Sequence, residues 1–130
     1  MTAADAKKSY DIVTEAIIGA AIEVHKHLGP GLLERIYEDA LCYELTQRHI
    51  SFVRQLELPI PYKDITLEGK FRLDLLVADS IVIELKNVEK IAPIHEAQIL
   101  TYLKITGKKV GLILNFNEAL MKNGIRRLVN

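Results

Sequence analysis

Apolar residues recur at helical spacing through the first third of the chain. Val13, Ile17, Ala20, Val24 and Leu28 fall three or four residues apart, which predicts an amphipathic helix from about Ser9 to Leu28. Gly29-Pro30-Gly31 ends it, since proline lacks an amide hydrogen and glycine admits turn conformations. A second helix is expected from about Leu32 to His49, with Leu33, Tyr37, Ala40 and Leu41 on its apolar side.

The pattern changes at Ser51. Phe52 to Pro61 reads as one strand, and Pro59 and Pro61 place its later part at a sheet edge. Phe71 to Val77 and Ile81 to Asn87 read as two strands joined by the turn Ala78-Asp79-Ser80. Pro93 sits near the start of a third helix, about Ile94 to Thr106, which Gly107 ends. Val110 to Phe116 is a continuous apolar run of the kind a doubly covered strand shows. Strand, helix and strand in succession imply a parallel, right-handed crossover. Asn123-Gly124 signals a turn before a last edge strand, Ile125 to Val129. The expected class is α/β (mixed α+β): a mixed central sheet flanked by helices, with two helices at the N-terminus.

With 130 residues, about half of them hydrophobic, the chain is the size of one domain with one real core. Its 17 basic and 17 acidic residues cancel, which argues against tight non-specific DNA binding by charge alone. A divalent cation would supply positive charge locally where the protein does not. Basic clusters exist at Lys104 with Lys108 and Lys109, and at Arg126 with Arg127, but a solvated helix end and an exposed edge strand account for them. The single cysteine, Cys42, lies in the helical apolar pattern and reads as a small packed residue. No stretch approaches the length of a membrane span and the first residues lack a signal-peptide core, so no membrane and a cytoplasmic location are expected. His25, His27 and His49 read as helix-end or surface residues.

The hairpin carries the chemistry. Alternate strand residues share a face, which groups Glu84 and Lys86 with Val82, and Asp74 with Arg72 and Leu76. Phe71, Leu73, Leu75 and Val77 then face the other way. If the turn is three residues long, Val77 pairs with Ile81 and Asp74 falls opposite Glu84. Directly opposed like charges destabilise a sheet unless compensated, and a hard divalent cation compensates carboxylates. A solvent-facing side of mixed charge, with Lys86 pairing one acid, is the plainer account of the same pattern. Glu34 flanks the apolar side of the second helix, and Gln98, Tyr102 and His95 line one stripe of the third. These are either a site wall or hydrogen-bonded boundary residues. Arg72 suits a flanking phosphate or a salt bridge to a neighbouring acid. Asn87 either caps its strand or touches the site.

Gly31-Leu32-Leu33-Glu34-Arg35-Ile36-Tyr37 resembles the signature of the GxxExxY proteins, a branch of the PD-(D/E)XK nuclease-like superfamily. The resemblance continues through Phe71 to Leu76, Ile83-Glu84-Leu85-Lys86, His95-Glu96-Ala97-Gln98 with Tyr102, and Gly111 to Asn117, spanning roughly Ile12 to the C-terminus. It implies a restriction-endonuclease-like core. It further implies that Asp74 and Glu84 hold magnesium or manganese, that Glu34 is an extra metal ligand as in the exonuclease-like branch, and that Lys86 orients the attacking water and offsets phosphate charge. Gln98 and Tyr102 resemble the Gln-x-x-x-Tyr element that positions substrate in recombination-type nucleases. The implied function is metal-dependent hydrolysis of nucleic acid, DNA ahead of RNA, with a second copy of the chain or a partner protein completing the grip. The competing expectation is a catalytically silent nuclease-fold module for nucleic-acid binding or protein assembly.

Overall fold

The computed structural model describes residues 2–68 and 71–130. Helix α1 (Ala3–Leu28) starts earlier than the apolar spacing predicts, because Thr2 and Asp5 form a capping box that satisfies the first free amides. Ile17, Ala20 and Val24 are buried as expected. Helix α2 (Glu34–Gln47) buries Tyr37 and Leu41 completely. Leu33, expected on its apolar side, is instead 73% exposed. It sits at the N-cap, outside the helical repeat, so the helical face rule does not reach it. At the other end Ile50 donates to the Leu45 carbonyl and His49 to the Thr46 carbonyl, a Schellman ending in which His49 takes a left-handed φ of 58°.

Five strands form the main sheet in the order β1 (Phe52–Glu57), β4 (Arg72–Val77), β5 (Ile81–Lys86), β6 (Val110–Asn115) and β7 (Ile125–Val129). β5 and β6 are parallel, joined across the sheet by α3 (Pro93–Thr106), and the other neighbours are antiparallel. The mixed sheet and crossover match the sequence expectation. On one face Ile17, Tyr37 and Leu41 of α1 and α2 pack on Leu75, Ile83 and Leu112. On the other, Ile99 and Leu103 of α3 pack on Leu73, Val82 and Ile113. No described helix is long and apolar enough to cross a membrane.

Phe52 to Pro61 is not one strand. β1 stops at Glu57, and Ile60–Tyr62 (β2) pairs with Ile65–Leu67 (β3) in a separate two-stranded ribbon. Pro59 has no amide hydrogen to continue a ladder, and the Leu58 amide makes the last link, to Phe71, at 2.7 Å. His25 also departs from expectation: it is buried, its Nε2 2.8 Å from the Glu118 carbonyl. The segment through the 3-10 turn Met121–Gly124 folds back against α1 and covers it. Gly124 is fixed by close approach, since a Cβ there would lie 2.0 Å from the Asn115 carbonyl oxygen. Cys42 is a packed residue, its thiol pushed up to about 11 by burial.

Candidate active site

The β4–β5 ladder pairs Val77 with Ile81, Leu76 with Val82 and Leu75 with Ile83, the register expected from a three-residue turn. There it stops. Beyond it the Asp74 amide donates to Glu84 Oε1 at 2.9 Å, and the Leu85 amide donates to Asp74 Oδ2 at 2.8 Å. Each carboxylate thus takes a backbone donor from the opposite strand, in place of a carbonyl. The two acids come together because the sheet opens to admit them.

Strand alternation also breaks at this point. Leu75 and Val77 pack toward α1 and α2, whereas Leu73 and Phe71 pack toward α3, contrary to the single face expected for all four. The switch falls at Asp74, whose counterpart on β1, Gln55, is skipped in the β1–β4 ladder and has a left-handed φ of 48°. Two adjacent strands change hand together, so the β1–β4 ladder resumes in register at Leu56 and Leu73.

Glu84 is 6% exposed, and burial first, then the charge of Asp74, push its carboxyl up to about 8. Asp74 is also raised, chiefly by burial, with the Leu85 hydrogen bond opposing. Lys86, half-buried at the end of β5, counteracts the rise at Glu84 and makes no salt bridge among the described residues. Glu34 opens α2 with an exposed side chain, yet its charge acts on both Asp74 and Glu84. It lines, with Arg35, Asp74 and Leu85, a cavity of about 590 Å³. The structure therefore places Glu34 and Asp74 on one cavity, with Glu84 bonded to the Asp74 amide and Lys86 two residues further along β5.

Sequence reasoning missed three neighbours. Glu38, one helical turn after Glu34, is 7% exposed. Its Oε2 accepts from Arg54 Nε and Nη2 at 3.0 and 2.8 Å, and its Oε1 from the Gln55 amide at 2.7 Å. Arg54 also bonds Asp39, and these acids hold its guanidinium above its ordinary pKa. A carboxylate between Tyr37 and Leu41 in a helical pattern was the available signal for Glu38.

The remaining candidates are held by the protein itself. The Tyr102 hydroxyl donates to the Arg72 carbonyl at 2.7 Å and its ring lies 4.5 Å from that of Phe71. Burial, then Glu84 and Asp74, raise its phenol pKa. His95 Nδ1 accepts from the Ala92 amide at 3.0 Å and closes the first turn of α3. Arg72 pairs with Glu57 at 2.9 Å, the neighbouring-acid alternative. Gln98 is half-buried and makes no side-chain hydrogen bond among the described residues. Asn87 Nδ2 donates to the Leu32 carbonyl at 2.6 Å, tying β5 to the loop before α2, while its Oδ1 is buried without a partner. Tyr37 clamps that loop by donating to Gly29 and accepting from Leu32.

Among the described residues no three His, Cys, Asp or Glu side chains converge as a ready metal cluster. The donor chemistry nevertheless fits a hard divalent cation. Five acids, Glu34, Glu38, Asp39, Asp74 and Glu84, stand with three bases, Arg35, Arg54 and Lys86, on and beside the cavity, so once Glu84 loses its proton the acids exceed the bases by two. Asp74 and Glu84 are the paired oxygen donors, and Glu34 is the acid that could join them from α2.

No curated protein matches the chain. The solved crystal structure of the protein SSO0001 shares the fold, with a TM-score of 0.50, 18% sequence identity, and coverage of 89% of this chain and 75% of that one. The model of the PD-(D/E)XK nuclease superfamily matches residues 11–128, a span holding both helix acids, the opened hairpin and the crossover helix. With the sheet order and the opposed Asp74 and Glu84, that match places the chain in the PD-(D/E)XK nuclease superfamily.

Proposed function

We propose that this chain is a magnesium- or manganese-dependent nuclease, of the GxxExxY branch, that hydrolyses phosphodiester bonds of DNA ahead of RNA. The observation that carries the proposal is the opened β4–β5 ladder, which holds the buried Glu84 carboxylate and the half-buried Asp74 carboxylate side by side next to Lys86. When both acids are ionised, their opposition destabilises the sheet unless a positive charge offsets it. A bound divalent cation would supply it, stabilising the charge that builds on the scissile phosphate and lowering the pKa of a water.

The chain's own residues take the remaining work. Asp74 and Glu84 hold the ion and Glu34 reaches it from α2, the arrangement of an exonuclease-like site. Lys86 offsets charge on the phosphate and orients the attacking water. Gln98 and His95 face substrate from α3, Tyr102 fixes the backbone at Arg72, and Arg72 exchanges Glu57 for a flanking phosphate. Arg35, on the cavity wall without a salt bridge among the described residues, is a further phosphate contact. The balanced net charge fits a protein that grips DNA as a homodimer or with a partner protein, in the cytoplasm.

The test is cleavage of labelled single- and double-stranded DNA with magnesium or manganese. Lys86→Ala and Asp74→Ala should each lower turnover by about 10²-fold or more. A second reading, which the balanced net charge favours, is a catalytically silent nucleic-acid-binding module. Well-folded wild type that binds DNA and never cleaves it, whichever ion is added, would establish that reading instead.

A further inference from the structure

We infer that Gln55 is a positioning residue: with Glu38 and Arg54 it forms a clamp that sets the Asp74 carboxylate and fixes α2, and hence Glu34, against it. The inference rests on the metal-site reading above. Gln55 Nε2 donates to Glu38 Oε1 at 2.7 Å and to Asp74 Oδ1 at 3.4 Å, so one amide spans the helix acid and the strand acid. Glu38 cannot swing away, because its other oxygen takes two bonds from Arg54. Asp74 cannot rotate freely either, because its other oxygen takes the Leu85 amide. Both oxygens of the strand acid are thus oriented by donors before any ligand arrives.

The clamp also fixes a distance. Glu34 and Glu38 are one turn apart on the same face of α2, so anchoring Glu38 to β1 and β4 anchors Glu34 relative to Asp74 and Glu84. Nothing else described holds the exposed Glu34 side chain. The backbone at Gln55 bears the cost. A residue with a Cβ at φ 48° is strained, and it interrupts the β1–β4 ladder. A glycine at this position would be free of that strain. An amide side chain held here against backbone preference has a role that the fold alone does not require.

The discriminating variant is Gln55→Gly, which relieves the backbone and deletes the amide together. Urea unfolding should show it at least as stable as wild type. Manganese affinity, read by electron paramagnetic resonance of the free ion, should fall about tenfold or more, the usual consequence of losing a group that orients a ligand. With manganese saturating, kcat on DNA should fall while KM for DNA stays within about twofold, since the clamp touches ligands and no part of the substrate. Gln55→Asn, which also tolerates the left-handed backbone but is one carbon shorter, should behave like the glycine variant. Wild-type affinity and kcat in Gln55→Gly would overturn the clamp while leaving the metal site standing. Wild type whose manganese binding is absent, or unchanged by Asp74→Ala, would overturn the metal-site reading and the clamp with it.

Discussion

Replacing Glu84 by Gln should stabilise the metal-free protein at alkaline pH and leave it nearly unchanged in acid. The carboxyl is 6% exposed and sits against Asp74, so its pKa rises from 4.5 in the unfolded chain to about 8 in the folded one. Between those values the native state keeps a proton that the unfolded state releases. Its stability therefore falls as pH rises through that window and levels off above it. One proton changes stability by about 1.4 kcal/mol per pH unit, so the loss between pH 5 and pH 8 approaches about 3 kcal/mol. Glutamine mimics the protonated acid, and its amide oxygen can still accept from the Asp74 amide. Urea unfolding of both proteins in EDTA at pH 5, 6.5 and 8 measures the difference. It should be close to zero at pH 5 and grow to favour the variant at pH 8. Titrating groups remote from Glu84 are common to both chains and cancel, whereas Asp74 loses a repulsive neighbour in the variant, which adds to the variant's advantage at alkaline pH. A difference that stays flat with pH, or favours wild type at pH 8, would refute the account of Glu84 as a buried acid under charge repulsion.

Three further outcomes follow from the geometry. His49→Gly should raise stability by up to about 1 kcal/mol, the left-handed penalty of a side chain less the greater freedom glycine loses on folding; a lower melting temperature would argue that the His49 ring contributes packing. Gly124→Ala should destabilise by about 1–3 kcal/mol, because its Cβ would meet the fixed Asn115 carbonyl 2.0 Å away, and calorimetry would show the drop. Tyr102→Phe should cost about 1 kcal/mol through loss of the bond to the Arg72 carbonyl, measured by urea unfolding. A loss of turnover beyond tenfold at unchanged stability would instead assign that hydroxyl to substrate.

Much of the fold was legible because it rests on local rules that hold along most of the chain. The helical apolar stripe located α1, the turn at Ala78 to Ser80 set the β4–β5 register, and the apolar run after α3 marked the parallel β6. That register set Asp74 opposite Glu84, but the opened ladder through which each carboxylate takes an amide of the facing strand was not legible from it. What escaped depended on distant chain or on a broken rule. His25 is covered by a segment near Glu118, which no window around the histidine contains. Arg54 and Gln55 read as ordinary polar residues of an edge strand, because their partner is a helix acid sixteen and seventeen residues earlier. The face of Leu73 was misassigned because alternation was assumed to continue through Asp74.

The failures at Gln55 and Leu73 fall together, and their location is informative. Within a few residues of the opened hairpin lie the skipped ladder pair, the left-handed Gln55, the two facing carboxylates and the orphaned Asn87 oxygen. Each is unfavourable by itself, and a sequence selected for stability alone would remove them one by one. Elsewhere in the sheet the ladders run regularly and the core is apolar. A fold that concentrates its local conflicts at one place, and meets them with an anchored network of Glu38, Arg54 and Gln55, holds there a geometry that folding does not need. The facing carboxylates and the Asn87 oxygen are acceptors crowded together, whereas the skipped pair and the left-handed Gln55 are conflicts of the backbone. On the metal-site reading proposed above, a divalent cation would offset the facing carboxylates, and the strain at Gln55 would hold their oxygens ready before it binds.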